Sequence, residues 1–183
     1  MELTKKLDLI KFSKITLLIL LGSLLLTISA KIKIPFYPVP MTMQTFVVLF
    51  LGMSFGYKIG LASVGLYLIE GIIGLPVFSN SPEKGIGLTY FTGPTMGYLI
   101  GFLFATFLAG YFNFKTNIFY IFLKLVVSVS TIYILGVFWL GSLVGWDKSI
   151  IQLGVTPFLI AELFKISILA ILAKNIIKLK KFI

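Results

Sequence analysis

Two side chains of opposite charge stand close together inside the last hydrophobic stretch of the chain. They are Glu162 and Lys165, in Thr156-Pro-Phe-Leu-Ile-Ala-Glu-Leu-Phe-Lys-Ile-Ser-Ile-Leu-Ala-Ile-Leu-Ala173. An i,i+3 spacing puts both on one face of a helix. Each costs about 2.5–3.5 kcal/mol at the centre of a membrane-spanning helix. A chain keeps such groups in lipid only where they face a partner, a cavity or a ligand. The pair is therefore either a mutually satisfied structural ion pair or the polar grip of a ligand or ion site.

The elements that must hold the pair follow from composition. The chain has 183 residues, 58% of them apolar and 12% charged, about half the charge of an ordinary soluble domain. Its main solvent is lipid. About 20 apolar residues cross a bilayer. The sequence offers six such segments, near Ile15–Ile34, Thr42–Phe55, Ile59–Leu75, Pro94–Phe112, Ile118–Leu143 and Thr156–Asn175. The second is short and rich in Gly and Met, as a partial or tilted span would be. The first resembles a signal peptide, with Lys5, Lys6, Lys11 and Lys14 ahead of an apolar run ending Thr27-Ile-Ser-Ala30. No soluble domain follows it, so an uncleaved first span is expected. Ten lysines (Lys5, Lys6, Lys11, Lys14, Lys58, Lys115, Lys174, Lys178, Lys180 and Lys181) fall at the N-terminus, in alternate loops and at the C-terminus, whereas Lys31, Lys33, Lys84 and Lys148 lie on the other face. The positive-inside rule then makes both termini cytoplasmic, which requires an even number of spans. The expected fold is an all-α membrane protein, a six-transmembrane-helix bundle forming one domain over residues 1–183. The tail from Lys174 is expected to be the frayed end of the last helix, its lysines snorkelling into the inner headgroups.

The formal charge of +10 does not indicate nucleic acid. The lysines sit in short clusters between hydrophobic stretches, and with no arginine there is no fork for bidentate base or phosphate recognition. Absent Cys and His exclude thiolate sites and the usual zinc sets. A Gly-x-x-x-x-Gly-Lys-Ser/Thr phosphate loop is missing too, so this sequence does not hydrolyse ATP by that route.

The outer connections carry the remaining candidates. Ile34-Pro-Phe-Tyr-Pro-Val-Pro40 places three prolines in six residues, a stiff and apolar path. It reads as a rigid connector or as a lid over an outward-facing cavity. The longer connection from Gly74 to Pro94 carries Asn80, whose amide both donates and accepts, and Pro94 is expected as the first residue of the next helix. Gly93, Gly97 and Gly101 lie four apart, a stripe that lets two helices approach closely, with Tyr98 beside it near the outer surface. Glu70, about one turn below the outer end of span three, is expected to line the same cavity or to pair with an outer-loop lysine. Lys124 is expected to snorkel to the cytoplasmic surface.

With these stretches in view, the sequence resembles the BioY family, the biotin-specific S components of energy-coupling factor (ECF) transporters. The resemblance is carried by Val39-Pro-Met-Thr-Met-Gln-Thr, Gly71-Ile-Ile-Gly-Leu-Pro-Val-Phe, Thr92-Gly-Pro-Thr-Met-Gly-Tyr-Leu-Ile-Gly-Phe, Leu135-Gly-Val-Phe-Trp-Leu and Pro157-Phe-Leu-Ile-Ala-Glu-Leu-Phe-Lys. It runs from about Ile15 to Lys174 with order and spacing kept. It implies a bundle in the cell membrane that captures biotin near the outer surface under two loops, with no cofactor, metal or catalytic residue. Its implied partners are a transmembrane coupling subunit and two cytoplasmic ATPases. It further implies that Asn80, Glu162 and Lys165 hold the ureido head, with Tyr98 nearby. The family usually has Asp where this chain has Glu162, and the extra methylene moves the carboxylate by about an ångström. Phe36, Tyr37 and Phe78 are expected as apolar walls. In span one, Gly22, Ser23 and Thr27 are the small residues expected to dock on the coupling subunit.

The chemistry agrees. A ureido group offers two N–H donors and a carbonyl acceptor, which suit a carboxylate and an ammonium. Three other readings compete: an S component for a different vitamin, an intramembrane enzyme using Glu70, Glu162 and Lys165, and a ligand-free structural membrane protein. The enzyme reading lacks His, Cys, paired carboxylates and a hydroxyl placed beside a base.

Overall fold

The structure, a computed structural model, describes residues 2–182, with side chains from 9 to 181. The side chains of Lys5 and Lys6, which enter the orientation argument, lie outside the described residues, as does Ile183 at the tail. Six α-helices form the body: α1 (Glu2–Lys31), α2 (Gln44–Ile72), α3 (Met96–Tyr111), α4 (Ile118–Val144), α5 (Ile150–Gly154) and α6 (Leu159–Ile176). Short 3₁₀ turns occupy Gly87–Thr92, Thr156–Phe158 and Ile177–Phe182. Two strands of two residues each, β1 (Lys33–Ile34) and β2 (Met41–Thr42), pair antiparallel with Lys33 opposite Thr42 and Ile34 opposite Met41. They close the proline-rich connection into a small hairpin. Four stretches, Leu9–Lys31, Gln44–Ile72, Ile118–Val144 and Ile150–Lys181, are long and apolar enough to cross a membrane, and the apolar Met96–Tyr111 is shorter.

Helix α2 is not one rod. Gly56 has φ +76° and ψ 171°, a region open essentially to glycine alone, and there the chain reverses. A Cβ built on Gly60 would lie 3.4 Å from the Cα of Gly52, whereas eight residues of straight helix would separate them by about 12 Å. The Gln44 side-chain amide likewise donates to the Tyr67 hydroxyl at 2.8 Å. The expected segments Thr42–Phe55 and Ile59–Leu75 are thus two antiparallel arms, residues 44–55 and 57–72. This hairpin is the centre of the molecule and packs against α1, α3 and α6. The second arm carries Tyr67, fully buried, and the first carries Val48, Leu49, Leu51 and Met53, equally buried.

Helix α1 lies at the periphery. It buries Gly22, Ser23, Leu26 and Ala30, one stripe at helical spacing, while Leu17, Leu20, Leu21, Leu24, Leu25 and Ile28 face outward. Gly22 sits against Ser63 and Leu51, and Ser23 donates to the Glu70 carboxylate. This corrects two expectations. Gly22 and Ser23 pack inward on α2, and Thr27 is half-buried, so the face left for a partner is leucine-rich. Glu70 neither lines the outer cavity nor meets an outer lysine, because its carboxylate is taken by a hydroxyl on the neighbouring helix.

The glycine stripe serves α3 against α4. A Cβ on Gly101 would lie 2.6 Å from the Cα of Ile132, and one on Gly97 would run into Leu135 and Trp139. Gly93 lies before the helix, where its carbonyl accepts from the Trp139 indole at 2.8 Å. Helix α3 begins at Met96, two residues later than the Pro94 start expected from sequence, since Gly93, Pro94 and Thr95 form a turn after the 3₁₀ segment. Asn117 caps α4 by accepting from the Tyr120 amide at 3.0 Å. Lys124 donates to the Asn113 carbonyl at 2.6 Å. At the tail the chain continues past α6 as a 3₁₀ turn.

Candidate functional site

The first turn of α6 and the first turn of α2 meet through three polar side chains. Lys165 donates to Glu162 Oε1 at 2.7 Å, to Thr45 Oγ1 at 2.9 Å and to the Thr42 carbonyl at 2.6 Å. Thr45 in turn donates to the same Glu162 oxygen at 2.8 Å. Glu162 and Lys165 are each only 5% exposed. All three ammonium protons therefore have acceptors, the satisfaction that a buried polar group requires. Thr45 acts both as donor and as acceptor, so the three side chains form a closed triangle tying α6 to α2.

The carboxylate is left half used. Glu162 Oε2 is buried and makes no hydrogen bond among the described residues. A buried acceptor without a donor costs about 1–3 kcal/mol, more when charged, so this carboxylate oxygen is open to a donor from a ligand, with the Tyr133 hydroxyl a nearby one inside the protein. Glu162 lines a cavity between α2, α3, α4 and α6. Its roof is the segment 39–42 of the small hairpin together with Ser79 and Tyr90 from the long connection, and Gln44, Thr45 and Thr95 add polar edges. Apolar surface comes from Leu99, Phe102 and Ile132. An aromatic corner completes it: Tyr133 stands edge-on to Tyr98 with centroids 6.1 Å apart, and it lies 6.2 Å from Phe158.

Tyr98 is held from both sides. Its hydroxyl donates to the Gly154 carbonyl at 2.9 Å, and its ring lies where any side chain at Gly136 would have to be. The volume left inside is ≈ 50 Å³, room for one or two water-sized groups and far below the about 300–1,000 Å³ of sites that take larger ligands. Admitting a bicyclic molecule requires the roof or the walls to move.

The roof is fastened by lysines. Lys31, at the end of α1, donates to the carbonyls of Phe78 at 2.8 Å and Ser81 at 2.9 Å. Lys33 in β1 donates to the Ser79 carbonyl at 2.6 Å and Asn80 Oδ1 at 3.1 Å, and pairs with Glu83 at 3.7 Å. The two outer connections are thereby stitched into one cover.

Of the four residues singled out in the sequence, Glu162 and Tyr98 line the cavity. Lys165 sits behind Glu162 with its donors occupied. Asn80 stands one residue beyond the lining Ser79, held by Lys33. The three apolar walls assigned by position are corrected. Phe36 and Tyr37 are exposed, and Phe78 is an anchor of the long connection, stacked on Tyr90 at 4.6 Å and edge-on to Tyr67 at 5.3 Å. Phe36 contributes only from outside, edge-on to Phe158 at 6.0 Å. Sequence reasoning missed Thr45, Gln44 and Tyr133. A Gln-Thr pair opening an apolar span was a visible signal for the first two, but no spacing reveals that they meet a helix that begins more than a hundred residues later. Among the described residues no group of three or more His, Cys, Asp or Glu side chains converges to hold a metal.

Comparison with known proteins gives a consistent set of likenesses. The profile of the BioY family matches residues 4–182. The "Biotin transporter BioY" of Thermotoga maritima is 38% identical over 157 residues, 85% of this chain and 91% of that protein. The "Probable biotin transporter BioY" of Pyrococcus horikoshii is 36% identical over 152 residues, 83% of this chain and 89% of that protein. Among solved structures, the S-component for biotin from an ECF-type ABC transporter, a crystal structure at 2.1 Å, superposes with TM-score 0.76 and 28% identity, covering 92% of both chains.

Proposed function

The chain belongs to the BioY family, and from that premise we propose how its outer cavity grips biotin. The protein is the S component for biotin of an ECF-type transporter, a multi-pass membrane protein and not an enzyme. The observation that carries the site assignment is the orphaned, buried Glu162 Oε2 at the cavity wall. A ureido N–H is a donor of the right kind for it, and a charge-assisted hydrogen bond in a dry pocket is strong and directional. Lys165 holds that carboxylate in place, and reaches the ureido carbonyl by exchanging one of its present acceptors. Asn80, released from Lys33 as the roof adjusts, supplies the remaining polar contact. Tyr98, with Tyr133 and Phe158, walls the apolar ring. A ligand lacking the ureido donors leaves the carboxylate unpaired, which is the source of selectivity.

The same reading takes residues 1–183 as one substrate-binding domain with six crossings, the two arms of α2 counted separately and both termini cytoplasmic. The short arm 44–55 is shielded inside the bundle, so it need not match the full bilayer thickness. With no phosphate loop in the sequence, uptake draws its energy from a coupling subunit and two ATPases. The natural absence of cysteine allows a direct test of the orientation. A single cysteine at Asn113 should react with a membrane-impermeant maleimide only in inside-out vesicles, and one at Glu83 only from outside. The opposite pattern, or labelling of both positions from one side, defeats it.

The site is tested by equilibrium binding of biotin to the purified chain and to Glu162→Gln. Loss of a charge-assisted bond of about 1.5–3 kcal/mol should weaken binding by about tenfold to more than a hundredfold, while desthio and ring analogues that keep the ureido group still compete. Wild-type affinity in Glu162→Gln would remove the assignment.

A further inference from the structure

At the opposite end of the bundle the connection between α3 and α4 and the end of α6 enclose a second, open hollow of ≈ 650 Å³. Lys115 borders it from the connection, and Lys174, Lys178, Lys180 and Lys181 from the end of α6 and the turn after it. All five are exposed. Phe114, buried, and Ile177, half-buried, give it an apolar lining. Lys174 is nine residues beyond Lys165, about 14 Å further along α6, and Lys178, Lys180 and Lys181 follow in the turn after it, so the hollow lies at the other end of α6 from the Glu162–Lys165 pair.

Five ammonium groups from two distant parts of the chain thus converge with no carboxylate among the described lining residues. The ion pairs of the described residues, Lys33 with Glu83 and Lys165 with Glu162, are both at the other end. An inward bias of lysine requires positive charge on this side, but not its gathering around one concave, partly apolar surface. Such a surface suits a ligand that is anionic at one end and apolar at the other. Lys ammonium groups are compact point charges that pair with phosphate without needing a fork, and the negative end of the α6 dipole favours cations at its last turn.

We propose that this hollow seats the phosphodiester headgroup of an anionic phospholipid of the inner leaflet, the lysines neutralising the phosphate while Phe114 and Ile177 meet the glycerol and upper acyl region. Basic pockets at the cytoplasmic ends of spanning helices bind lipid headgroups in this way. A leaflet lipid is favoured over a soluble anion because the hollow is permanently bathed by headgroups and its lining is partly apolar. The proposal does not depend on what the outer cavity binds.

The experiment is native mass spectrometry of the detergent-purified full chain titrated with dioleoylphosphatidylglycerol, dioleoylphosphatidylcholine or inorganic phosphate. The wild-type chain should retain phosphatidylglycerol with a preference of about tenfold or more over phosphatidylcholine. The triple variant Lys174→Gln/Lys178→Gln/Lys181→Gln should lose that preference, and the outer-face control Lys84→Gln should keep it. Biotin binding by the variants reports that they are folded. Should the triple variant fail to fold, Lys115→Gln and Lys178→Gln separately should each lower the preference by several-fold. Equal retention of both lipids, an unchanged preference in the lysine variants, or displacement of the lipid by millimolar inorganic phosphate would each overturn the proposal, the last by making the hollow a site for a free anion.

Discussion

On the proposed site assignment, Glu162 carries two different jobs on its two oxygens. Oε1 is spent inside the protein, accepting from Lys165 and Thr45, and Oε2 is free to meet a ligand. That split explains why a buried pair, usually neutral at best for stability, is worth keeping: the internal half fixes the geometry of the external half. Thr45 is the test of this arrangement. Thr45→Val keeps the shape but removes one donor to the carboxylate and one acceptor for the ammonium, leaving a buried charge short of a partner. The expected outcome is a loss of about 1–3 kcal/mol in stability, read by thermal unfolding in detergent. Weakened biotin binding should accompany it, because the carboxylate is no longer held in place. Unchanged binding with lowered stability would make Thr45 structural only.

The site is assembled from elements that approach one another unusually closely. Gly56 lets α2 turn back on itself, and Gly97 and Gly101 let α3 lie against α4 with backbone near backbone. Packing with small residues is how membrane helices associate when lipid removes the hydrophobic drive between them. Gly136 on α4 is the most direct link from packing to the proposed site, since the Tyr98 ring fills the space above it. Gly136→Ala should push that ring toward the cavity and break its bond to Gly154. Overpacking of this kind costs about 1–3 kcal/mol. Biotin affinity should fall by about tenfold or more by the same reckoning, and the adjacent Trp139 should report the shift in fluorescence. A variant with wild-type affinity would show that the ring does not bound the site.

For the whole molecule, the cavity is too small for a bicyclic ligand, so binding at the proposed site requires its roof or its walls to move, and the fastened cover is the part that can be tested. Lys33 is the fastening most exposed to test, because it holds Ser79, Asn80 and Glu83 at once. Lys33→Met should loosen the cover without touching Glu162. Stopped-flow fluorescence is expected to show association and dissociation both accelerated, dissociation by about tenfold for a lost charged hydrogen bond of about 1.5 kcal/mol or more. Rates equal to wild type would mean that the cover opens elsewhere.

Local composition alone was enough to reveal a membrane bundle, its apolar segments and a charged pair one turn apart near the start of the last segment, because hydropathy and helical spacing act over a few residues and need no knowledge of distant contacts. It was also enough to mark the break between the segments at Thr42–Phe55 and Ile59–Leu75, which became the reversal at Gly56. Tertiary structure alone decided which groups face each other: that Thr45 completes the pair, that Phe78 anchors a loop instead of walling a ligand, that Glu70 is satisfied by Ser23, and that Lys31 and Lys33 hold down a cover. Those outcomes depend on which faces of which helices meet. In a chain that is apolar on nearly every face, the sequence pattern does not distinguish the side turned to lipid from the side turned to a neighbour.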